Sequence, residues 1–206
     1  FYSLLYSENH EQPYWVRYVI TKENIENSIV ERKDNFRMDP SVVSISASLA
    51  DYRKSGYDRG HLCPAGDMKF SKLAMSESFY MSNMSPQHPS LNRGRWKQLE
   101  SMVRKWALKY DSTIIYCGGV LDSVNEYIGE NKVAVPKYFY KVVYCPNTNL
   151  SAVAFVMPNR KCEKNIQDYI VSVDSVEILT HIDFFAEYSK ELQHNIESRV
   201  NSYGWF

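Results

Sequence analysis

Tyr57-Asp58-Arg59-Gly60-His61-Leu62-Cys63-Pro64-Ala65-Gly66-Asp67 is followed by Met81-Ser82-Asn83-Met84-Ser85-Pro86-Gln87, and then by Leu91-Asn92-Arg93-Gly94-Arg95-Trp96 with Leu99-Glu100. Polar residues of catalytic type crowd this part of the chain. His61 is the only histidine beside an Asp-Arg pair. An imidazole with an ordinary pKa near ~6.5 can act as a general base around neutral pH, although a lone histidine is also commonly structural.

From Leu91 the pattern becomes helical. Trp96, Leu99, Val103, Trp106 and Tyr110 recur at three- and four-residue steps, with Arg93, Arg95, Lys97, Arg104, Lys105 and Lys109 on the other faces. On a straight helix Asn92 and Glu100 lie about 12 Å apart along the axis and about 80° apart around it. Because helical side chains lean toward the N-terminus, Glu100 is expected to reach back toward Asn92. An amide oxygen and a carboxylate are hard donors that suit Mg²⁺, which keeps several waters and needs few protein ligands. The helix alone favours a structural reading, in which Asn92 caps it and Glu100 pairs with Arg104 at i+4.

Working outward, strands are expected over residues 14–20, 113–117, 132–135, 138–144 and 151–156, and a shorter, irregular one over 42–46. The later ones read as successive strands of a mainly antiparallel sheet. Asp174 and Glu177 resemble a capping-box start for a short helix through Leu179, and a polar helix is expected over 186–199. The pattern predicts an α+β fold: mixed α/β layers around a central, mostly antiparallel sheet with flanking helices, in a single domain over 1–206.

The 206 residues, 44% hydrophobic and 23% charged, exclude disordered, collagen-like and disulfide-scaffold classes. No apolar stretch approaches the ~20 residues of a membrane-spanning helix. The 24 basic and 24 acidic side chains cancel overall, yet residues 51–110 carry 11 Lys/Arg against 5 Asp/Glu. A basic segment thus coincides with the candidate chemistry in an otherwise acidic chain, although such a bias also describes an ordinary solvated face. Cys63, Cys117, Cys145 and Cys162 show no C-x-x-C pair, which disfavours structural zinc and leaves two disulfides or four thiols open. The chain opens at Phe1, so any targeting peptide is expected to have been removed.

The D-R-G-H-x-x-P-A element, the S-N-x-x-P-Q element and the N-x-x-x-W-x-x-L-E helix, in this order, resemble the DNA/RNA non-specific endonucleases of the ββα-metal superfamily. The likeness spans most of residues 31–185. It implies a ββα-metal motif and a Mg²⁺-dependent, sugar-non-specific endonuclease that leaves 5′-phosphate and 3′-hydroxyl ends, with Mn²⁺ as a substitute cation. It implies His61 as general base, Asn92 as the direct metal ligand and Glu100 as a holder of metal-bound water. Asn83 would help orient the histidine, Asp58 would organise the hydrated metal or the base strand, and Arg59 would support the site or bind phosphate. Arg32, Arg37, Arg93 and Arg95 are the phosphate-binding candidates on DNA and RNA, contacts that carry little sequence information. Bacterial members of the family are usually exported, which suggests a secreted or periplasmic protein if the chain is bacterial, whereas the family also has a mitochondrial member; a homodimer is left open. The rival class is a catalytically silent nucleic-acid-binding module on the same scaffold.

Overall fold

The computed structural model describes residues 1–43, 47–149, 152–200 and 202–206. Its centre is a six-stranded antiparallel sheet of β1 (Tyr2–Ser7), β2 (Gln12–Thr21), β5 (Ser112–Gly119), β8 (Tyr138–Tyr144), β9 (Val153–Pro158) and β10 (Ile170–Val171), in that spatial order. Two small antiparallel pairs stand apart from it: β3 (Asp58–His61) with β4 (Met84–Gln87), and β6 (Tyr127–Ile128) with β7 (Val133–Ala134). The helices are α1 (Lys22–Glu26), α2 (Leu49–Tyr52), α3 (Lys72–Glu77), α4 (Lys97–Tyr110), α5 (Val173–Thr180) and α6 (Lys190–Glu197).

Strand alternation sends side chains to two different cores. On β5, Ile115 and Cys117 face the layer that contains Leu99, Val103 and Trp106 of α4. Ile114 and Tyr116 face the opposite layer, with Val173 and Val176 of α5, Ile196 of α6, and Phe184 and Phe185 from the turn between those helices. Each fully buried large apolar side chain contributes roughly 1.5–3 kcal/mol, so α4 is held by its stripe rather than by its exposed cationic faces. Trp106 also donates from Nε1 to the Trp205 carbonyl at 2.6 Å, which fixes the C-terminal residues against the same face.

Several expectations are corrected. The amphipathic helix does not run straight from Leu91: residues Leu91–Trp96 form a wider π-helical turn that Gly94 breaks with non-helical angles (φ −107°, ψ −108°), and α4 begins at Lys97. Asp174 lies inside α5, whose cap is the Ser172 hydroxyl accepting from Ser175 N, and Glu177 instead accepts from Phe184 N at 2.8 Å. The final helix is α6, shorter than 186–199 because Ser189 caps it and Ser198 ends it. The strand expected over 132–135 is β7, which pairs with β6 and stays outside the central sheet. The strand expected over 151–156 begins at Val153, and residue 151 lies outside the described residues, as does most of the 42–46 segment. All four cysteines are free, buried thiols.

Candidate active site

The β3–β4 pair and the start of α4 form a ββα unit packed on one face of the sheet. Asp58 stands opposite Gln87 and His61 opposite Met84. Gly60 is required in this ladder, because a Cβ there would overlap the Gln87 side chain. Beyond His61 the chain is braced by fully buried Asn83. Its Nδ2 donates to the carbonyls of Cys63 and Ser78, its Oδ1 accepts from Cys63 N, all at 2.8 Å, and its carbonyl accepts from Leu62 N. Asn83 therefore acts on the two residues that follow His61, and no hydrogen bond joins it to the ring.

His61 is 9% exposed, with its ring edge-on to Phe79 at 4.9 Å and tilted against Phe36 at 5.6 Å. The same two rings carry cations on their other contacts: Arg32 lies over Phe79 at 5.1 Å and Arg59 over Phe36 at 4.3 Å. Burial, then Arg32, push the His61 pKa down to about 3, with Arg59 adding to the effect and Asp34 opposing it. The imidazole is thus neutral at physiological pH, and its buried Nε2 has no hydrogen-bond partner within the protein. A neutral imidazole with an uncommitted nitrogen is the form that accepts a proton.

A cleft of about 330 Å³ opens beside it, lined by Arg32, Arg59, His61, Asn92, Arg93, Lys97, Glu100 and Arg104 among others. Six of the residues singled out from sequence therefore meet in one place. Asp58 stands behind them. Its Oδ2 accepts from Asn92 Nδ2 at 2.9 Å and from Arg93 Nε at 2.8 Å, while Oδ1 accepts from Arg93 Nη2 at 2.7 Å. Because the amide nitrogen is held by a carboxylate, the Asn92 amide oxygen is left as the free acceptor. The same contacts keep Asp58 below the usual carboxylate range despite its partial burial, through Arg93 and Asn92.

Arg37 and Arg95 are not brought to this cleft. Arg37 donates to the carbonyls of Ser76 and Asn35 and lies 4.0 Å from the Tyr80 ring centroid. Arg95 donates to the Lys164 carbonyl and to Gln98. Neither structural alternative for the helix is realised: Arg104 pairs with Asp67 at 2.6 Å rather than with Glu100, and Asn92 sits within the π-helical turn.

Glu100 has its pKa pushed up to about 7 by burial and by Asp67, against the opposing pull of Lys141, Arg104 and Arg32. Lys141 was not singled out from sequence. It is fully buried beneath the site, donating to the Tyr18 hydroxyl at 3.3 Å, with its ammonium 4.8 Å from the Trp96 ring centroid. A lysine at an inward position of the apolar strand YFYKVVY was the available signal. Asp67, also fully buried, was the unrecognised partner of Arg104.

The freed amide oxygen of Asn92 and the Glu100 carboxylate form an all-oxygen donor pair in a cleft with no thiol among its lining residues. That chemistry fits a hard divalent cation which retains much of its water.

The family described as DNA/RNA non-specific endonuclease matches residues 1–191. Nuclease EXOG, mitochondrial, of Danio rerio is 34% identical over 205 residues, covering 91% of this chain and 60% of the relative. The mitochondrial nuclease of Saccharomyces cerevisiae is 34% identical, covering 95% of this chain and 67% of the relative. Endonuclease G, mitochondrial, of Homo sapiens is 33% identical, covering 85% of this chain and 64% of the relative. The chain thus spans about three fifths to two thirds of the length of these relatives. A solved complex of EndoG with EndoGI aligns at TM-score 0.85 and 33% identity, covering 93% of this chain and 85% of that chain. The expectation of a secreted or periplasmic protein is overturned by relatives whose names are mitochondrial, the three above and nuclease 1 of Schizosaccharomyces pombe among them.

Proposed function

Because the chain belongs to the DNA/RNA non-specific endonuclease family, we propose that it hydrolyses phosphodiester bonds in both DNA and RNA with a hydrated Mg²⁺ or Mn²⁺ held by Asn92 and, through water, by Glu100. The observation that carries this reading is the meeting, in one cleft, of a neutral His61 and an Asn92 amide whose oxygen Asp58 leaves free. When bound, the cation supplies charge neutralisation for the phosphate and for the departing 3′ oxygen.

The protein's own groups do the rest. His61 takes the proton of the attacking water, and its burial and neighbouring arginines keep it unprotonated beforehand. Asp58 orients the Asn92 amide and holds Arg93 at the cleft wall. Arg32, Arg59, Arg93 and Lys97 bind substrate phosphates, a reading that their place in the cleft lining supports; Arg59 and Lys97 take the places of Arg37 and Arg95 in this role. Phe36 and Phe79 pack His61 on its buried side and limit its rotation. Asn83 positions the peptide that follows His61. Contacts to phosphate and an external water need no 2′-hydroxyl, which accounts for indifference to the sugar. The products are 5′-phosphate and 3′-hydroxyl ends. Residues 1–206 act as one functional domain, a reading that the family match over residues 1–191 supports.

The test is cleavage of supercoiled plasmid and of a structured RNA at low salt, in Mg²⁺ or EDTA, by wild type and His61→Ala. Breakdown of both polymers that requires the cation and His61, with 5′-phosphate ends, is expected. Folded wild type that binds both polymers and cuts neither, across several metals and pH values, would replace the enzyme with the silent binding module.

A further inference from the structure

On the sheet face opposite α4, Asp174 and Glu177 of α5 meet Glu197 at the last position of α6. One carboxylate oxygen of each lies within 4.8 Å of the others. Glu197 is 5% exposed, and its Oε1 is buried without a hydrogen-bond partner. The nearest counter-charge is turned elsewhere: Lys190 Nζ donates to Gln193 Oε1 at 2.9 Å and sits 3.8 Å from Asp183. Glu177 spends Oε1 on Phe184 N, leaving its second oxygen to the cluster.

A buried carboxylate facing two others is costly unless a cation or a proton compensates it. Its position at the end of α6 adds to the cost, since the helix dipole places partial negative charge there. Asp174 and Glu177, three residues apart, occupy one face of α5 and are presented together. Three oxygens this close can all reach one cation, and calcium, unlike magnesium with its demand for a near-ideal octahedron, accepts an irregular all-oxygen shell of carboxylates and water.

We propose that Asp174, Glu177 and Glu197 form a calcium site that ties the end of α6 to the first turns of α5, separate from the catalytic cleft. The site braces the layer that packs Ile196, Val173 and Val176 on the sheet, where Ala152 N donates to the Ile196 carbonyl at 3.0 Å. Three carboxylates and water complete an oxygen shell that calcium tolerates in irregular geometry. Nothing in this assignment depends on the nuclease reading.

Thermal unfolding of EDTA-treated protein, titrated with CaCl₂ or MgCl₂, tests it. Calcium at about ten times its Kd is expected to raise Tm by roughly 3–6 °C, with a smaller rise in magnesium when the two are compared in Asn92→Ala, where the catalytic cation site is removed. The calcium shift is expected to persist in Asn92→Ala, to disappear in Glu197→Gln, and to need about tenfold more calcium in Asp174→Asn. Glu197→Gln is also expected to raise Tm in EDTA, because it removes an uncompensated buried charge. Should that variant fail to fold, the half-buried Asp174→Asn carries the comparison. No calcium shift in wild type, a shift abolished by Asn92→Ala, an unaltered shift in the Asp174 and Glu197 variants, or equal shifts in the two metals in the Asn92→Ala background would each overturn the assignment.

Discussion

Protonation of His61 should destabilise the fold, and the size of the effect follows from its surroundings. Its folded pKa is pushed from the ordinary 6.5 to about 3, chiefly by burial and then by Arg32. Between these values the unfolded chain binds a proton that the native state refuses, so the stabilising contribution is complete above about pH 6.5 and is lost as pH falls. At pH 5 the loss amounts to about 2 kcal/mol, and it grows to about 5 kcal/mol below pH 3. Urea unfolding of wild type and of His61→Phe at pH 7.5 and 5.0 isolates this share. Phenylalanine keeps an aromatic ring between Phe36 and Phe79 and cannot titrate. Other groups, such as Glu100, whose pKa is raised, shift both proteins alike and cancel in the double difference. Wild type is expected to lose about 2 kcal/mol more than the variant over this interval. Equal losses would refute the reasoning, because they would mean that His61 is protonated in the native state as readily as in the unfolded one.

Asp58→Ala should release the Asn92 amide and lower the affinity for the activating cation about 10–100-fold, read as a shift in the Mg²⁺ concentration that supports half-maximal cleavage. Asn83→Ala removes three buried side-chain hydrogen bonds and is expected to cost about 2–4 kcal/mol in urea unfolding, more than a cavity of its size alone. Lys141→Met deletes a buried charge that holds Glu100 down, so the Glu100 proton leaves at higher pH than the present value of about 7. Cleavage by that variant is expected to fall at pH 7 and recover toward pH 8.5 in a pH–rate profile; an unmoved acid limb would show that the two groups are not coupled.

Much of the site was legible in local pattern. The three- and four-residue steps of Leu99, Val103 and Trp106 marked the buried stripe of α4, and the apolar runs of β2, β5, β8 and β9 marked the sheet. The D-R-G-H, S-N-x-x-P-Q and N-x-x-x-W-x-x-L-E elements mark His61, Asn92 and Glu100 as candidates in the sequence itself. The π-helical turn was not legible, because Leu91 and Trp96 are buried on both sides of the Gly94 break and their spacing reads as an ordinary helix. β1 escaped because an edge strand with alternate residues exposed leaves a weak hydrophobic signal.

By itself the sequence determined the buried stripe of α4, the main strands of the central sheet and which residue types are available for chemistry. All of these are set by local backbone periodicity and by the solvation of individual side chains. Only the tertiary structure decided partnership. It turned Arg104 to Asp67, 37 residues away, placed Asp58 behind Asn92 and Arg93, drew Arg37 and Arg95 away from the cleft, and buried Lys141 beneath Glu100. Charges and hydrogen bonds act through space, with strengths set by burial and distance, and neither quantity exists until distant segments have packed together.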